Sequence, residues 1–308
     1  MANATVGVAG LGAMGMGTAL ALLDAGFTVA GYDIDAAKLA SFAKAGGIAC
    51  DRPVALAEHS ARVITLVVNA QQVEQVLFGD DGLAAGFSGG LLIQSATAAP
   101  AWARDLDTRL QAAGIDMLDS PVSGGQVRAR EGELSVMLSG PAQRRERAAD
   151  IYKAAAANVF VMGDAIGQGS SMKLVNQLLA GVHIAVSGEA MAFAIESGLD
   201  PHEVYRVITA SAGNSWMFEN RVPHILENDY TPTSAVDIFI KDLGMVLDTG
   251  RESRFPLPMA SEAFQLFTMA SSSGHGREDD AAVVKVWEQL SDIELPKGTK
   301  QPKGRKGS

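Results

Sequence analysis

Charge is scarce in this 308-residue chain: Asp, Glu, Lys and Arg make up 19% of it, against a hydrophobic share of 47%. That balance excludes a disordered bulk and leaves apolar material for two domains, each with its own core. Basic residues are the scarcer sign, 25 against 35 acidic ones, for a formal net charge of -10. An acidic surface argues against nucleic acid or an anionic membrane as the main partner. Cysteine is all but missing. The single Cys50 excludes an intramolecular disulfide and suits a reducing compartment. A basic, signal-like leader is lacking as well, since Met1-Ala2-Asn3 runs straight into an apolar segment. The chain is therefore expected to be cytoplasmic. The five histidines (His59, His183, His202, His224 and His275) show no metal-ligand spacing, so no metal is expected. A phosphate-loop Gly-Lys-Ser/Thr is absent.

What is present is a long apolar stretch from Gly163 to Ser197. Between Ala165 and Ile195 its only formal charges are Lys173 and Glu189. Ser170 can cap a helix there, and the Ala, Leu, Val and Met content carries it toward Gly198. From Gly169 to Ser197 such a helix spans roughly 43 Å, and one apolar on nearly every side reads as buried. His183 and Glu189, with Lys173, argue against a membrane span. Lys173 falls near the helix start, with Asn176 and Gln177 one turn further on the same face and Ala180, Ile184 and Ser187 continuing the stripe. One reading is a lysine that snorkels to solvent. The other is a buried proton-transfer group, favoured by the two amides beside it and the lack of an acid nearby in sequence.

The N-terminal half shows a strand–helix alternation. Thr5–Ala9 is a strand, followed at once by Gly10-Leu11-Gly12-Ala13-Met14-Gly15 and a helical run to Asp24. The first glycine of G-x-G-x-x-G makes the tight turn, the second admits pyrophosphate, and the third lets helix and strand pack closely. The helix N-terminus adds free N–H groups for phosphate. The next strand, Thr28–Tyr32, ends in Asp33, where a dinucleotide fold needs an acceptor for ribose hydroxyls. Asp35 adds a second negative charge and no arginine follows until Arg52, which favours NAD over NADP.

Further along, Val63–Val68 reads as a buried strand, placing Val68 and Asn69 at the carboxyl edge where ligands sit in such sheets. Leu91–Ser95 and Ile115–Leu118 are the next strands. They lead into Ala96-Thr97 and into Asp119-Ser120-Pro121-Val122-Ser123-Gly124-Gly125. Ser123 and two glycines offer a hydroxyl and accessible N–H groups that suit a carboxylate, although the segment alone is equally an ordinary polar turn. Leu134–Ser139 and Val159–Met162 close the sheet around a Pro141–Ala157 helix. Everything after Gly167 reads as helix: Ser170–Ser197, Asp200–Ala212, Met217–Asn228, Val236–Arg251, Pro258–Ser271 and Asp279–Leu290. The expected architecture is a Rossmann-type, doubly wound, mostly parallel sheet (residues 1–164) followed by an all-α domain (165–296). A disordered Lys/Gly-rich tail (297–308) is expected to complete the chain.

The signals together resemble the 3-hydroxyacid dehydrogenase family, related to 3-hydroxyisobutyrate dehydrogenase, across residues 4 to about 292. The motifs are Gly10–Gly15, Asp119–Gly125, Gly167-Gln168-Gly169 through Lys173-Leu174-Val175-Asn176-Gln177, and Lys241-Asp242-Leu243. The resemblance implies an NAD-dependent enzyme that interconverts a small hydroxy acid and its carbonyl form, assembled as a homodimer or homotetramer. It implies Lys173 as catalytic acid/base, Ser123, Gly124 and Gly125 as the substrate carboxylate site, and Asn176 or Gln177 as a substrate-contacting amide. Cofactor contacts are expected at Gly10, Leu11, Gly12, Met14, Gly15, Asp33, Val68 and Asn69, and the resemblance adds Thr97 and Lys241. Where the family pattern reads Asp-x-Ser-Thr, this chain has Gln94-Ser95-Ala96-Thr97. A non-catalytic scaffold on the same fold would lack the helix lysine, which is intact here. In the helical half, Leu178–His183, Ala212–Arg221, Tyr230–Pro232, Val236–Phe239 and Gly276–Asp280 resemble one branch of the family and are expected to bear on specificity. Asn214, Ser215 and His183 could bind substrate hydroxyls, with Trp216 walling the pocket. Equally, Trp216 and Phe218 could be helix packing and His183 a core or interface residue.

Overall fold

The computed structural model describes residues 5–298. The chain divides into two compact units within one long helix, after Lys173. Positions 299–308 of the expected tail lie outside the described residues.

The first unit holds a nine-stranded sheet: β1 (Thr5–Ala9), β2 (Thr28–Tyr32), β3 (Ile48–Ala49), β4 (Arg62–Thr65), β5 (Leu91–Gln94), β6 (Asp116–Asp119), β7 (Val122–Ser123), β8 (Leu134–Ser139) and β9 (Ala156–Gly163). The order is β3-β2-β1-β4-β5-β6-β8-β7, with β9 on the free side of β8. Strands β3 to β6 run parallel, β8 runs antiparallel to β6 and β7, and β9 is parallel to β8. The order reverses between β1 and β4, so the carboxyl ends of those strands form the crevice in which such sheets bind ligands. Helices cover both faces, one over Leu56, Leu77, Leu106 and Leu110 and the other over Leu22, Phe42 and Ile151. That double burial is why the parallel strands read as continuous apolar runs. Cys50, just after β3, is a free thiol buried in this unit.

Three expectations about this unit need correcting. The strand expected over Val63–Val68 ends at Thr65, because the chain leaves the sheet to begin the helix Ala70–Phe78, which Asn69 caps. The helix Gly125–Glu131, unforeseen, follows the Ser123 turn directly. The expected Pro141–Ala157 helix is two short helices, Ala142–Glu146 and Ala149–Ala155, and β9 starts at Ala156.

The long helix runs from Gln168 to Glu196. It starts before Ser170, which is therefore an early helical residue and not the cap. All-round burial is also not observed: the helix is long and apolar enough to cross a membrane by composition, yet only half of that stretch is buried. Met172, Val175, Leu179, Val186 and Phe193 are exposed, spaced in threes, fours and sevens along one face. The second unit adds helices Pro201–Thr209, Trp216–Glu227, Val236–Ser253, Pro258–Ala270 and Lys285–Ser291. Its core includes the stacked pair Phe239 and Phe267, with ring centroids 5.1 Å apart. The expected Asp279–Leu290 helix breaks into a tight turn, Asp280–Val284, and a short helix, because the Asp279 side chain caps that turn by accepting from Ala281 N–H.

Candidate active site

The nucleotide corner is built by β1, β2 and the helix Ala13–Asp24. Gly10 turns the chain at φ +94°, and a Cβ on Gly15 would lie 1.8 Å from the Gly10 carbonyl oxygen. Those two glycines are required by the protein's own packing. Gly12 is not: a Cβ there would meet nothing within 4 Å and would stand in open space at the helix start. That is where a pyrophosphate must approach the free N–H groups, so the corner fits a dinucleotide. Asp33 is nine-tenths buried, its carboxylate accepting from Leu11 N–H at 2.6 Å and Asp35 N–H at 2.9 Å. A carboxylate has about four acceptor positions, which leaves capacity for ribose hydroxyls. Two neighbours escaped the sequence reading. Lys38 Nζ stands 3.8 Å from Asp33 and 3.7 Å from Asp35, and Ile34 is 89% exposed beside them.

Of the other expected cofactor contacts, Val68 is half exposed and Asn69 is engaged as a helix cap, its Oδ1 accepting from Gln72 N–H at 2.9 Å. Met14 lies in the first turn of the Ala13–Asp24 helix. Thr97 is half-buried after β5, on a turn braced by Gln94, which accepts from Ala96 N–H at 2.7 Å and donates to Ala96 O at 2.9 Å. The Gln94 amide thus holds the turn from both sides.

Ser123 lies in β7, opposite Ser135 of β8, and is followed by Gly124 at φ +142° and Gly125 at φ +72°. Two consecutive residues in that region turn N–H groups outward, as a carboxylate site requires. Lys173 is 7% exposed, in the second turn of the long helix. Asp119, at the end of β6, is wholly buried and bonded to the first turn of that helix. Burial pushes its carboxyl above the usual range, and hydrogen bonds from Ser170, Ser139 and Gly167 oppose this.

In the second unit, Asn176 Nδ2 donates to Gln177 Oε1 at 2.9 Å. Gln177 Nε2 donates to buried Asp242 at 2.5 Å, and Lys241 Nζ reaches the other oxygen of Asp242 at 2.5 Å. The two expected substrate amides and the expected cofactor lysine therefore form one hydrogen-bonded chain. The residues expected to set specificity are placed otherwise. Ser215 caps the helix Trp216–Glu227, accepting from Phe218 N–H at 3.0 Å. Phe218 is buried and stacks on Tyr205, while Trp216 is half exposed. Asn214 donates to Glu219 at 2.5 Å, and its buried Oδ1 has no partner among the described residues. His183 lies ten residues beyond Lys173, roughly 15 Å along the helix axis.

The family model described as the NAD binding domain of 6-phosphogluconate dehydrogenase matches residues 5–163. A second model, described as NAD-binding of NADP-dependent 3-hydroxyisobutyrate dehydrogenase, matches residues 167–287. An L-threonate dehydrogenase of Cupriavidus necator is 56% identical over 292 residues, covering 94% of this chain and 97% of that protein. The chain belongs to the 3-hydroxyacid dehydrogenase family. An L-threonate dehydrogenase of Escherichia coli is 47% identical over 293 residues, covering 94% of this chain and 96% of that protein. A crystal structure described as 3-hydroxyisobutyrate dehydrogenase from Salmonella typhimurium superposes with a TM-score of 0.88 at 46% identity, over 92% of this chain and all of that one. This member of the 3-hydroxyacid dehydrogenase family is an NAD-dependent oxidoreductase.

Proposed function

We propose that this dehydrogenase oxidises L-threonate at C2 to 2-dehydro-L-erythronate, with Lys173 as general base. The observation that carries the chemistry is Lys173 itself: a buried lysine in a helix whose first turn is bonded to the strand end leading to the Ser123 turn. The substrate assignment is supported by the L-threonate dehydrogenases that match this chain along nearly its whole length. Ser123, Gly124 and Gly125 hold the substrate carboxylate. The Asn176–Gln177 pair orients the hydroxyl, fixed from behind by Asp242. Lys173 removes the hydroxyl proton at Nζ as the C2 hydride departs. NAD supplies the hydride acceptor, held by Gly10–Gly15 and Asp33, with Met14, Val68, Asn69, Thr97 and Lys241 around it. Asp33 repels a 2′-phosphate, so NAD is preferred over NADP.

The test is a substrate panel on wild type and Lys173→Ala, run with each cofactor and in both directions. L-threonate with NAD is expected to exceed 3-hydroxyisobutyrate, and tartronate semialdehyde in reverse, by at least about tenfold in kcat/KM, because a site built for hydroxyls rejects analogues lacking them. Oxidation by wild type is expected to rise with pH, since only neutral lysine accepts a proton, and reduction to fall. Lys173→Ala loses roughly 10²–10⁴ in kcat with NAD binding kept. Near-wild-type turnover with the same pH dependence would overturn Lys173 as the base. A preference for 3-hydroxyisobutyrate, the substrate named for the Salmonella structure, would overturn the substrate.

The protein is further proposed to be a cytoplasmic homo-oligomer, dimer or tetramer. The support is the exposed face of the long helix, where residues 172, 175, 179, 186 and 193 keep the alternating spacing of a helix–helix seam. Light scattering at micromolar concentration is expected to give a mass of at least two chains, and a monomer contradicts it.

A further inference from the structure

We propose that Asp119 is a positioning residue for Lys173, clamping the first turn of the lysine helix to the strand end that leads to Ser123. The proposal rests on the reading of Lys173 as the base.

The first N–H groups of any helix lack intrahelical partners and are usually met by a nearby side chain. The long helix has no acidic residue in its first turn. Its donors are met from the sheet instead. Asp119 Oδ2 accepts from Gly167 N–H at 3.0 Å and Ser170 N–H at 2.8 Å, while Oδ1 accepts from the Ser170 hydroxyl at 2.7 Å. Ser139, at the end of β8, accepts from Gly169 N–H at 3.0 Å and donates to Asp119 Oδ2 at 3.2 Å. Three backbone N–H groups at the helix start are thus held by two strand-end side chains distant in sequence. Contact is close as well: a Cβ on Gly169 would lie 2.3 Å from Met137 O and 2.8 Å from Asp119 O. The helix start cannot slide or rotate against the sheet without breaking this set.

Ser170 and Lys173 are three residues apart and share a helix face, and both are buried. The position of the Lys173 backbone is therefore set one turn back, at Asp119. On the other side, Asp119 is four residues before Ser123, with Ser120 N–H bonded to Gln94 O at 2.8 Å and Pro121 O accepting from Met137 N–H at 2.9 Å. One carboxylate thus links the start of the helix that carries Lys173 to the strand end that leads to the Ser123 turn. A simple cap would not need a fully buried acid; a clamp does, because it must bond several donors at once in fixed geometry.

The experiment is a double-mutant cycle on the full chain with NAD and L-threonate, following kcat, KM, NAD affinity and the pH profile of oxidation. Asp119→Ala is expected to lower kcat by roughly 10–100-fold, displace the pH limb carried by Lys173 and leave NAD affinity near wild type. Asp119→Asn keeps one oxygen for the two N–H groups and is expected to recover most of that turnover. In a Lys173→Ala background, Asp119→Ala is expected to add no further loss. Equal losses with and without Lys173, or a folded Asp119→Ala with normal kcat and pH profile, overturn the proposal. Should Asp119→Ala fail to fold, Ser170→Ala and Ser139→Ala carry the same cycle, with a severalfold loss in kcat expected only when Lys173 is present. Normal kcat in both, or a loss that persists without Lys173, overturns the proposal. Failure of the underlying reading shows separately, as near-wild-type turnover in Lys173→Ala alone.

Discussion

Each unit buries acids completely, and the two do it with different partners. Asp119 in the nucleotide-binding unit is held by backbone N–H groups and serine hydroxyls. Asp279 and Asp280 in the helical unit gather around a cation: Arg221 Nε lies 2.5 Å from Asp280 Oδ1, and Arg221 Nη2 lies 3.3 Å from Oδ2. Asp279 accepts from the Thr233 N–H at 2.9 Å and the Thr233 hydroxyl at 2.8 Å, which ties in the chain following Tyr230–Pro232. Asp279 N–H also donates to Tyr230 O at 2.9 Å, so the second cluster joins three of the stretches expected to bear on specificity. A motif that marks a branch of a family can be a fold's fastening, and the kind of partner a buried acid has helps tell the two roles apart. Asp119 has neutral donors at a helix start, whereas Asp280 meets a guanidinium that joins separate elements.

The comparison breaks if substitutions in the Arg221 cluster act on turnover in place of stability. The largest effect is expected from Arg221→Met, which strands Asp280 without its cation. A loss of about 3–5 kcal/mol in urea unfolding is expected, with kcat/KM of the folded enzyme within about threefold of wild type. The loss is expected to shrink toward pH 5, where a stranded carboxyl can take up a proton.

Next is the pH dependence of wild-type stability. Burial pushes the Asp280 carboxyl up to about 6, with Arg221 opposing. A group raised on folding favours the protonated native state, so its contribution is full below about pH 4 and is lost as pH rises through about 6. Glu74 has the opposite sign, because its hydrogen bond to Arg109 holds the carboxyl low and stabilises the fold above its usual range. Thermal melts between pH 4 and 7 are expected to show the Asp280 slope in wild type and a flatter curve in Asp280→Asn.

The smallest effect sharpens the other side. Ser123→Ala is expected to raise KM for L-threonate roughly tenfold, about 1.4 kcal/mol, with kcat little changed and no shift in melting temperature. A shift in melting temperature without one in KM would make Ser123 part of the frame.

Much of this was legible in the order of residues. Thr5–Ala9, Thr28–Tyr32 and Leu134–Ser139 end where their β-branched and apolar runs end. The nucleotide corner reads directly from glycine spacing plus one acid. The helix Gly125–Glu131 was hidden because it opens on glycine and continues through charge. Strand β9 was half hidden because the alanines around 154–157 favour helix, and only pairing with β8 extends the strand back to Ala156. Lys173 was legible from its helical face, but its clamp was not. Asp119 is 48 residues from Gly167 and 51 from Ser170, and only the sheet order brings them together. Ser215 looked like a sugar-binding hydroxyl for the reason that makes it a cap: a short side chain with an acceptor at the start of a helix.

The lone buried cysteine turns the nucleotide-binding unit into its own stopwatch. Cys50 is 4% exposed, and burial pushes its thiol up, with Asp51 and Glu58 adding to this. A folded molecule therefore gives a thiol reagent almost nothing to attack, and no second sulfhydryl elsewhere in the chain competes for it. The rate at which a disulfide probe labels the native enzyme then counts openings of the sheet around β3 and is blind to fraying among the C-terminal helices. Adding NAD would slow that count by as much as it tightens the sheet, giving a reading of cofactor affinity that requires no turnover.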